Sequence, residues 1–483
     1  MLETELKELI EKIQKRKTEF QTVELKSSNN GFPKRIYDTI SAFSNQDQGG
    51  VIIFGLSEDN NYEAVGVYDL EDAQKKISEA CEQMEPIIRA VITSTEVDGK
   101  FVLSAEIPPV EYHLRPVFYK GAGRLKGAYI RVGDADEPMS EYEDYSYEAF
   151  RRRIDDELRT VKNANPKLIQ QDRLNLYLNN VKHLRINLAN YVSDNDLLEL
   201  MGITSNGELT LAGVMSFSIY PQAYFPQLCI TAVCVPGTEM GDTDDDGSRF
   251  IDNKRITGSI PDLLDGAVDF VRKNMRVKTI IDSLGKRSDK TEYPIIAVRE
   301  AILNALIHRD YSVFTENTPI CIEMYKDRLM IKSKGGLYGG GAVEQLGRGR
   351  PETRNPALAN IMELLSVTEN RYSGIPTIRK ELKNSGLPEP IFKVSRGLFS
   401  VTFRNGETIT PEITIKNSKE MAKAVLDFCY TPRSRAEIIT LTGKSQTYTM
   451  NYIVKPLLEK GLLRMTNPEK PKSNKQKYVA VSN

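Results

Sequence analysis

The stretch Val298-Arg-Glu-Ala-Ile-Leu-Asn-Ala-Leu-Ile-His-Arg-Asp-Tyr-Ser312 decides how the rest of the chain is read. Glu300, Asn304 and His308 recur at every fourth position, so a helix places them on one polar ridge. Val298, Ala301, Ile302, Leu303, Ala305, Leu306 and Ile307 flank that ridge on both sides, which predicts a helix buried nearly all round. A carboxylate, an amide and an imidazole in such a helix cost free energy unless something polar meets them. Two arrangements satisfy them: a hydrogen-bond network inside the core, or the wall of a polar site. In the second, the Asn carbonyl can hold a hard cation and the Glu can take a proton from a water.

The Glu-x3-Asn ridge, within Arg299-Glu-Ala-Ile-Leu-Asn-Ala-Leu-Ile-His-Arg-Asp-Tyr-Ser312, resembles the N-box of the GHKL ATP-binding superfamily. It is closest in wording to a divergent branch, the C-terminal half of RecG-like transcriptional regulators of prokaryotes. Downstream, Ile320–Tyr325 and Arg328–Lys332 read as paired strands around the Lys326-Asp327 turn, leading into Ser333-Lys-Gly-Gly-Leu-Tyr-Gly-Gly-Gly341. Dense glycine lets backbone N–H groups approach an anion and lets a loop act as a lid. The resemblance implies ATP held by Glu300, Asn304, His308, Gly335, Gly336, Gly339 and, in a second glycine box Arg371-Tyr-Ser-Gly374-Ile375, Gly374. Asn304 is the implied contact to a metal. Gly347-Arg-Gly-Arg-Pro351 and Arg354-Asn355-Pro356 lie between the boxes, where a lid would be. Ser333 stands near the place where the superfamily has an Asp that reads adenine, a departure that leaves the base without its carboxylate.

In those regulators the N-terminal half is a Schlafen-AlbA domain, and its pattern is present too. Residues 1–17 form a charged helix with Leu2, Leu6, Leu9, Ile10 and Ile13 on its apolar face. Phe20 to Leu25 alternate like a half-buried strand, Ser27–Gly31 is a turn, and Pro33–Asn45 is helical. Gly49-Gly-Val-Ile-Ile-Phe-Gly-Leu56 is an apolar strand running into Ser57-Glu-Asp-Asn-Asn61. Together with Glu19-x4-Glu24-x-Lys26, these resemble the Schlafen-AlbA core, and Arg115–Tyr119 and Gly127–Gly133 fit its closing strands. Schlafen nucleases cut RNA with three carboxylates, so the resemblance implies catalytic Glu19, Glu24 and one of Glu58 and Asp59. A metal, Mg or Mn, would sit on Glu19, Glu24 and Asp59 and activate water for phosphodiester attack. Lys26 and Arg131 are candidate phosphate contacts.

The expected class is therefore α/β (α+β multidomain): a Schlafen-AlbA domain over 1–140, a helical connector over 141–205, a GHKL-like sandwich over 206–405 and a winged helix-turn-helix over 418–483. The last rests on helices at Met421–Tyr430, Ser434–Gly443 and Ser445–Leu462, then two strands around a Lys/Pro/Asn-rich turn. Its third helix offers Gln446, Thr447, Tyr448 and Asn451 to DNA, and Lys472 and Lys475 lie in a basic wing. Gly443-Lys-Ser445 has the tail of a P-loop, but Ile438 stands where its first glycine belongs, which excludes a Walker motor. Thr243–Gly247 is acidic without calcium-ligand spacing.

A length of 483 residues suits about three or four domains of about 100–200 residues each. The net charge of −1 excludes only a uniformly basic surface. Five scattered cysteines and three histidines, with no Cys-x-x-Cys pair, exclude a zinc ribbon and suit a reducing compartment. With no apolar run near ~18 residues, the chain is expected in the cytoplasm, away from membranes. The partners expected are DNA or RNA, an adenine nucleotide and a second copy of the chain. Three functions compete: a nucleotide-responsive DNA-binding regulator, a metal-dependent RNA endonuclease acting on transfer RNA, and an ATPase with Glu300 as base, which the missing adenine carboxylate disfavours.

Overall fold

The computed structural model describes residues 1–244, 246–281, 287–341, 343–349, 352–367, 374–406, 422, 425–426, 428–442, 449–467 and 476–480. They form two compact units, Met1–Phe403 and Arg404–Asn483.

The first unit begins with α1 (Glu3–Arg16), which buries Leu6, Ile10 and Ile13 while Leu2 stays exposed. A four-stranded sheet follows, in the order Val23–Lys26, Gly50–Phe54, Lys100–Ile107, Val91–Val97. The first pair is parallel and the others antiparallel. The last two strands are joined at Asp98-Gly99, both at positive φ, a tight hairpin turn that favours these residue types. Period-two alternation splits the sheet's side chains. Ile52 and Phe54 join the core under α2 (Ile36–Ser44) and α3 (Leu70–Glu82), whereas Ile53 joins Leu6, Ile10 and Ile13 on the α1 face. After α4 (Arg124–Gly127), the strands Tyr129–Val132 and Ala135–Pro138 pair antiparallel.

Helix α5 (Glu141–Arg152) starts on a Ser140–Glu143 capping box and ends at Arg153 in the left-handed region. Then come α6 (Gln171–Leu184), α7 (Ile186–Ala189), α8 (Asp194–Leu200) and α9 (Leu211–Phe217). The second sheet has six strands in the order Asp252–Ile256, Ile230–Cys234, Ile320–Met324, Arg328–Lys334, Leu398–Arg404, Ile391–Ser395. Packed with it are α10 (Ile260–Asn274), α11 (Ile295–His308), α12 (Pro356–Leu364) and α13 (Gly374–Asn384). The seven apolar residues expected beside the ridge are all buried in α11. Val161, Tyr177, Leu178, Val181, Leu197 and Ile203 belong to the same core, so the helices after α5 are part of this body.

In the second unit, Arg433–Ser434, Lys477–Ala480 and Leu463–Met465 form a three-stranded antiparallel sheet in that order. The helix Arg435–Thr442 starts where Ser434 and Glu437 exchange hydrogen bonds, and Val425, Cys429, Ile438, Ile453, Val454, Leu457, Leu463 and Tyr478 make its core. The helix expected over Ser445–Leu462 is described from Thr449. There a wide-turn stretch, Thr449–Val454, passes into Lys455–Glu459, with Pro456 in that helix's first turn.

Candidate functional site

Pro294 stands at the cap of α11, and the helix stops at His308 because Arg309 is extended. Its last carbonyls are met from elsewhere. The Tyr311 hydroxyl donates to Leu306 O at 2.7 Å, and Asn355 Nδ2 donates to Ile307 O at 2.7 Å and Arg309 O at 2.8 Å. The polar ridge faces away from the core into a cavity of about 1080 Å³. Glu300, Asn304, His308, Gly335, Gly336, Gly339 and Gly374 all line it, with Ser333, Arg299, Arg348 and Arg354. Gly374, at the start of α13, is the close approach: a Cβ there would lie 3.1 Å from both Asn304 Nδ2 and Glu300 Oε2.

Asn304 Nδ2 is buried and has no partner among the described residues. His308 is open to the cavity yet walled by protein, and this burial, with the Arg354 charge, lowers its pKa to about 4. The imidazole is therefore neutral at pH 7 and can accept a hydrogen bond. Asp310 is buried just beyond the ridge. Its carboxylate meets Arg354 at 3.0 Å and accepts from Ser312 N at 2.7 Å and the Tyr142 hydroxyl at 3.1 Å. Burial opposes its ionisation, but the Arg354 charge and the Ser312 N–H outweigh burial and hold its pKa below the ordinary range. Arg354 also donates to Gly336 O at 3.3 Å and lies 5.0 Å above the Tyr338 ring. An unspent amide, a wall of glycines and a guanidinium beside a neutral imidazole fit a nucleotide. Sequence reasoning did not single out Asp310, Tyr142 or Tyr338; Asp310 lay within the quoted stretch, but Tyr142 is 168 residues away.

The N-terminal carboxylates make a second cluster. Glu19 accepts from Leu25 N at 2.9 Å, and burial, followed by the Glu24 charge, raises its pKa to about 7. Glu58 adds to that rise and accepts from the Tyr62 hydroxyl at 2.8 Å; Asp59 is exposed. Glu24 is spent on two cations: Lys26 takes one oxygen and Arg131 the other at 2.9 Å. The Arg131 side chain is 1% exposed, also pairs with Asp136 at 2.8 Å, and sits 5.2 Å over Phe43. Both cations expected to meet phosphate are thus placed against carboxylates. Arg131 is an internal cross-link and presents nothing to a phosphate, and Lys26 faces Glu24. Among the described residues no three His, Cys, Asp or Glu groups converge to hold a metal. In this arrangement a metal at Glu19, Glu24 and Asp59 would have to share the Glu24 carboxylate with Lys26 and Arg131.

Gln446, Thr447, Tyr448, Lys472 and Lys475 lie outside the described residues, as do Gly443–Ser445 and Arg371–Ser373. Asn451 lies in the Thr449–Val454 stretch, its side chain likewise outside them. Among the described residues no helix is long and apolar enough to cross a membrane.

Comparison with known families bears on both clusters. Residues 19–140 match the profile described as "Schlafen, AlbA_2", and residues 317–403 match the one described as "Putative ATP-dependent DNA helicase recG C-terminal". The chain thus joins a Schlafen-AlbA region to a RecG-type region. Residues 432–479 match "Filamentation induced by cAMP protein Fic-like, C-terminal domain". Among solved structures, the DIP2311 protein from Corynebacterium diphtheriae is 18% identical, with 95% of this chain and 92% of that chain covered and a TM-score of 0.41. The N-terminal domain of a RecG-related protein from Nitrosomonas europaea is 24% identical, with 28% and 92% covered and a TM-score of 0.23. No curated protein matches.

Proposed function

We propose that this chain is a nucleotide-responsive nucleic-acid-binding protein, working as a DNA-binding transcriptional regulator. In this reading residues 1–140 and a winged helix at 418–483 hold nucleic acid, 206–405 hold ATP, and the chain works as a homo-oligomer in the cytoplasm. The observation that carries it is the cavity, where the ridge and both glycine segments meet around the unspent Asn304 amide. The two family profiles, one for a Schlafen-AlbA domain and one for an ATP-dependent protein's C-terminal part, support a nucleic-acid-related, nucleotide-binding role. When bound, ATP with its cation supplies the charge that the cavity reads. Asn304 would meet the phosphate end, the glycine N–H groups would cradle it, and neutral His308 would accept a hydrogen bond. With Ser333 in place of a carboxylate, base selection is weaker than in the superfamily. The test is calorimetric titration with a non-hydrolysable ATP analogue, then DNA affinity with and without it. Binding that alters DNA affinity is the expected result. Equal DNA affinities would end the regulatory reading.

The second reading is a Schlafen-type RNA endonuclease, favoured by Glu19. A half-buried carboxyl titrating near pH 7 beside Glu24 and Glu58 can exchange a proton as a general acid or base. Incubating total transfer RNA with purified protein in Mg, Mn or chelator decides it. Cutting that disappears in Glu19→Gln supports the reading, and intact RNA in all three conditions removes it.

A further inference from the structure

The cavity wall does not end at the second sheet. Tyr338 in the glycine loop packs edge-on against Phe150 of α5, with ring centres 5.1 Å apart. Phe150 packs edge-on against Tyr112 at 5.2 Å, and Tyr112 lies 4.9 Å from Tyr147. The adjoining glycines fit tightly against the same rings. A Cβ on Gly339 would come within 2.9 Å of Phe150, and one on Gly340 within 2.6 Å of Tyr112, both glycines being at positive φ. No other residue type lets the loop backbone lie this close to the aromatic column. Two polar links run parallel to it: Tyr142 to Asp310, and Arg153 to Glu352.

The column continues into the first sheet's body. The Arg115 guanidinium lies 5.9 Å from the Tyr112 ring and is itself buried, donating to Asn45 O at 2.9 Å and Gln46 O at 3.1 Å. Asn45 in turn clamps Val117 through both its N–H and C=O, and donates to Tyr129 O at 3.0 Å. Tyr129 begins the strand that carries Arg131, the cation holding Glu24.

We infer that the column Tyr338–Phe150–Tyr112, extended by Arg115 and Asn45, is a relay through which occupancy of the cavity controls the geometry of the Glu19–Glu24–Arg131 cluster. This rests on the nucleotide reading above and adds its route. The glycine loop both lines the cavity and rests on Phe150 and Tyr112 with no side chain between. A phosphate group that draws the loop or Arg354 inward must shift Tyr338, and close-packed rings pass such a shift on rather than absorb it. A route seen in a structure becomes coupling only when cutting it changes the response.

The experiment is amide hydrogen exchange on the full chain with and without an ATP analogue and Mg, in wild type and in Tyr112→Leu. Tyr112 does not line the cavity, and leucine keeps an apolar side chain in its place. Phe150→Leu serves as a second cut. In wild type, exchange at residues 111–118 and 129–132 should change at least about fivefold on ligand addition. In both variants that change should vanish while analogue affinity stays within about threefold, the tolerance of a residue outside the cavity. Analogue binding with no change in exchange overturns the relay and leaves the nucleotide reading standing. A response undiminished in both variants also overturns the relay. No binding to wild type overturns the nucleotide reading, and the relay with it.

Discussion

A buried donor left without a partner costs about 1–3 kcal/mol, so Asn304 is kept at some expense to the fold. Asn304→Ala should therefore leave the melting temperature unchanged or higher, while weakening binding of an ATP analogue at least about tenfold, or roughly 1.4 kcal/mol. Scanning calorimetry and titration of the same sample check both halves. His308 and Glu19 pull the pH dependence of stability in opposite directions. His308 has its pKa lowered from 6.5 to about 4, so the folded chain binds fewer protons than the unfolded one between those values. Its contribution is complete above pH 6.5 and is lost as pH falls toward 4. Glu19 has its pKa raised from 4.5 to about 7, so the folded chain holds the extra proton. Its contribution is complete below pH 4.5 and is lost as pH rises through 7. Urea midpoints measured from pH 4 to 8 should show His308→Gln flattening the acid side and Glu19→Gln flattening the neutral side.

Elements whose residues carry a strong period were legible, and those defined by distant partners were not. Helix α11 announced itself through its apolar flanks, and at α10 the residues Ser259, Pro261 and Asp262 mark the helix start. The strand Asp252–Ile256 left no signal, because four of its residues are polar and it lies at the sheet's edge, where one partner suffices. The strand expected over Phe20–Leu25 forms at Val23–Lys26, since only that part pairs with Val51–Phe54. The ridge of the cavity could be read from spacing, and its glycine segments from the resemblance that the ridge carries. The Arg354–Asp310–Tyr142 link could not, because its members come together only through tertiary packing, and neither could the spending of Glu24 on Lys26 and Arg131. Gly374 tests the element directly. Gly374→Ala places a methyl group against Asn304 and Glu300 at a helix start that tolerates alanine, so thermal stability should hold while analogue affinity falls at least about tenfold, by titration.

Across the larger unit, the stretch after α5 ties itself to the cavity-bearing core. Glu157, fully buried, accepts from Ala357 N at 2.7 Å and Leu358 N at 2.8 Å and so caps α12 from some 200 positions upstream. Burial pushes its pKa up to about 7 in spite of those two N–H donors. Glu157→Ala leaves both donors without their acceptor and should cost roughly 1–3 kcal/mol in urea denaturation. Thr160 bridges Thr210, Ile169 bridges Ser218, and Val161 to Ile203 complete the core around α9 to α11. A fragment starting at residue 206 should therefore fail to give a cooperative melt, whereas one spanning 154–403 should melt as a unit. The same feature sets where such chains can be spliced. Evolution or an engineer wishing to graft this cavity onto another nucleic-acid module must cut beside Ile154. A seam placed at residue 205 would hand the new host a helix without its cap and a core without its lining.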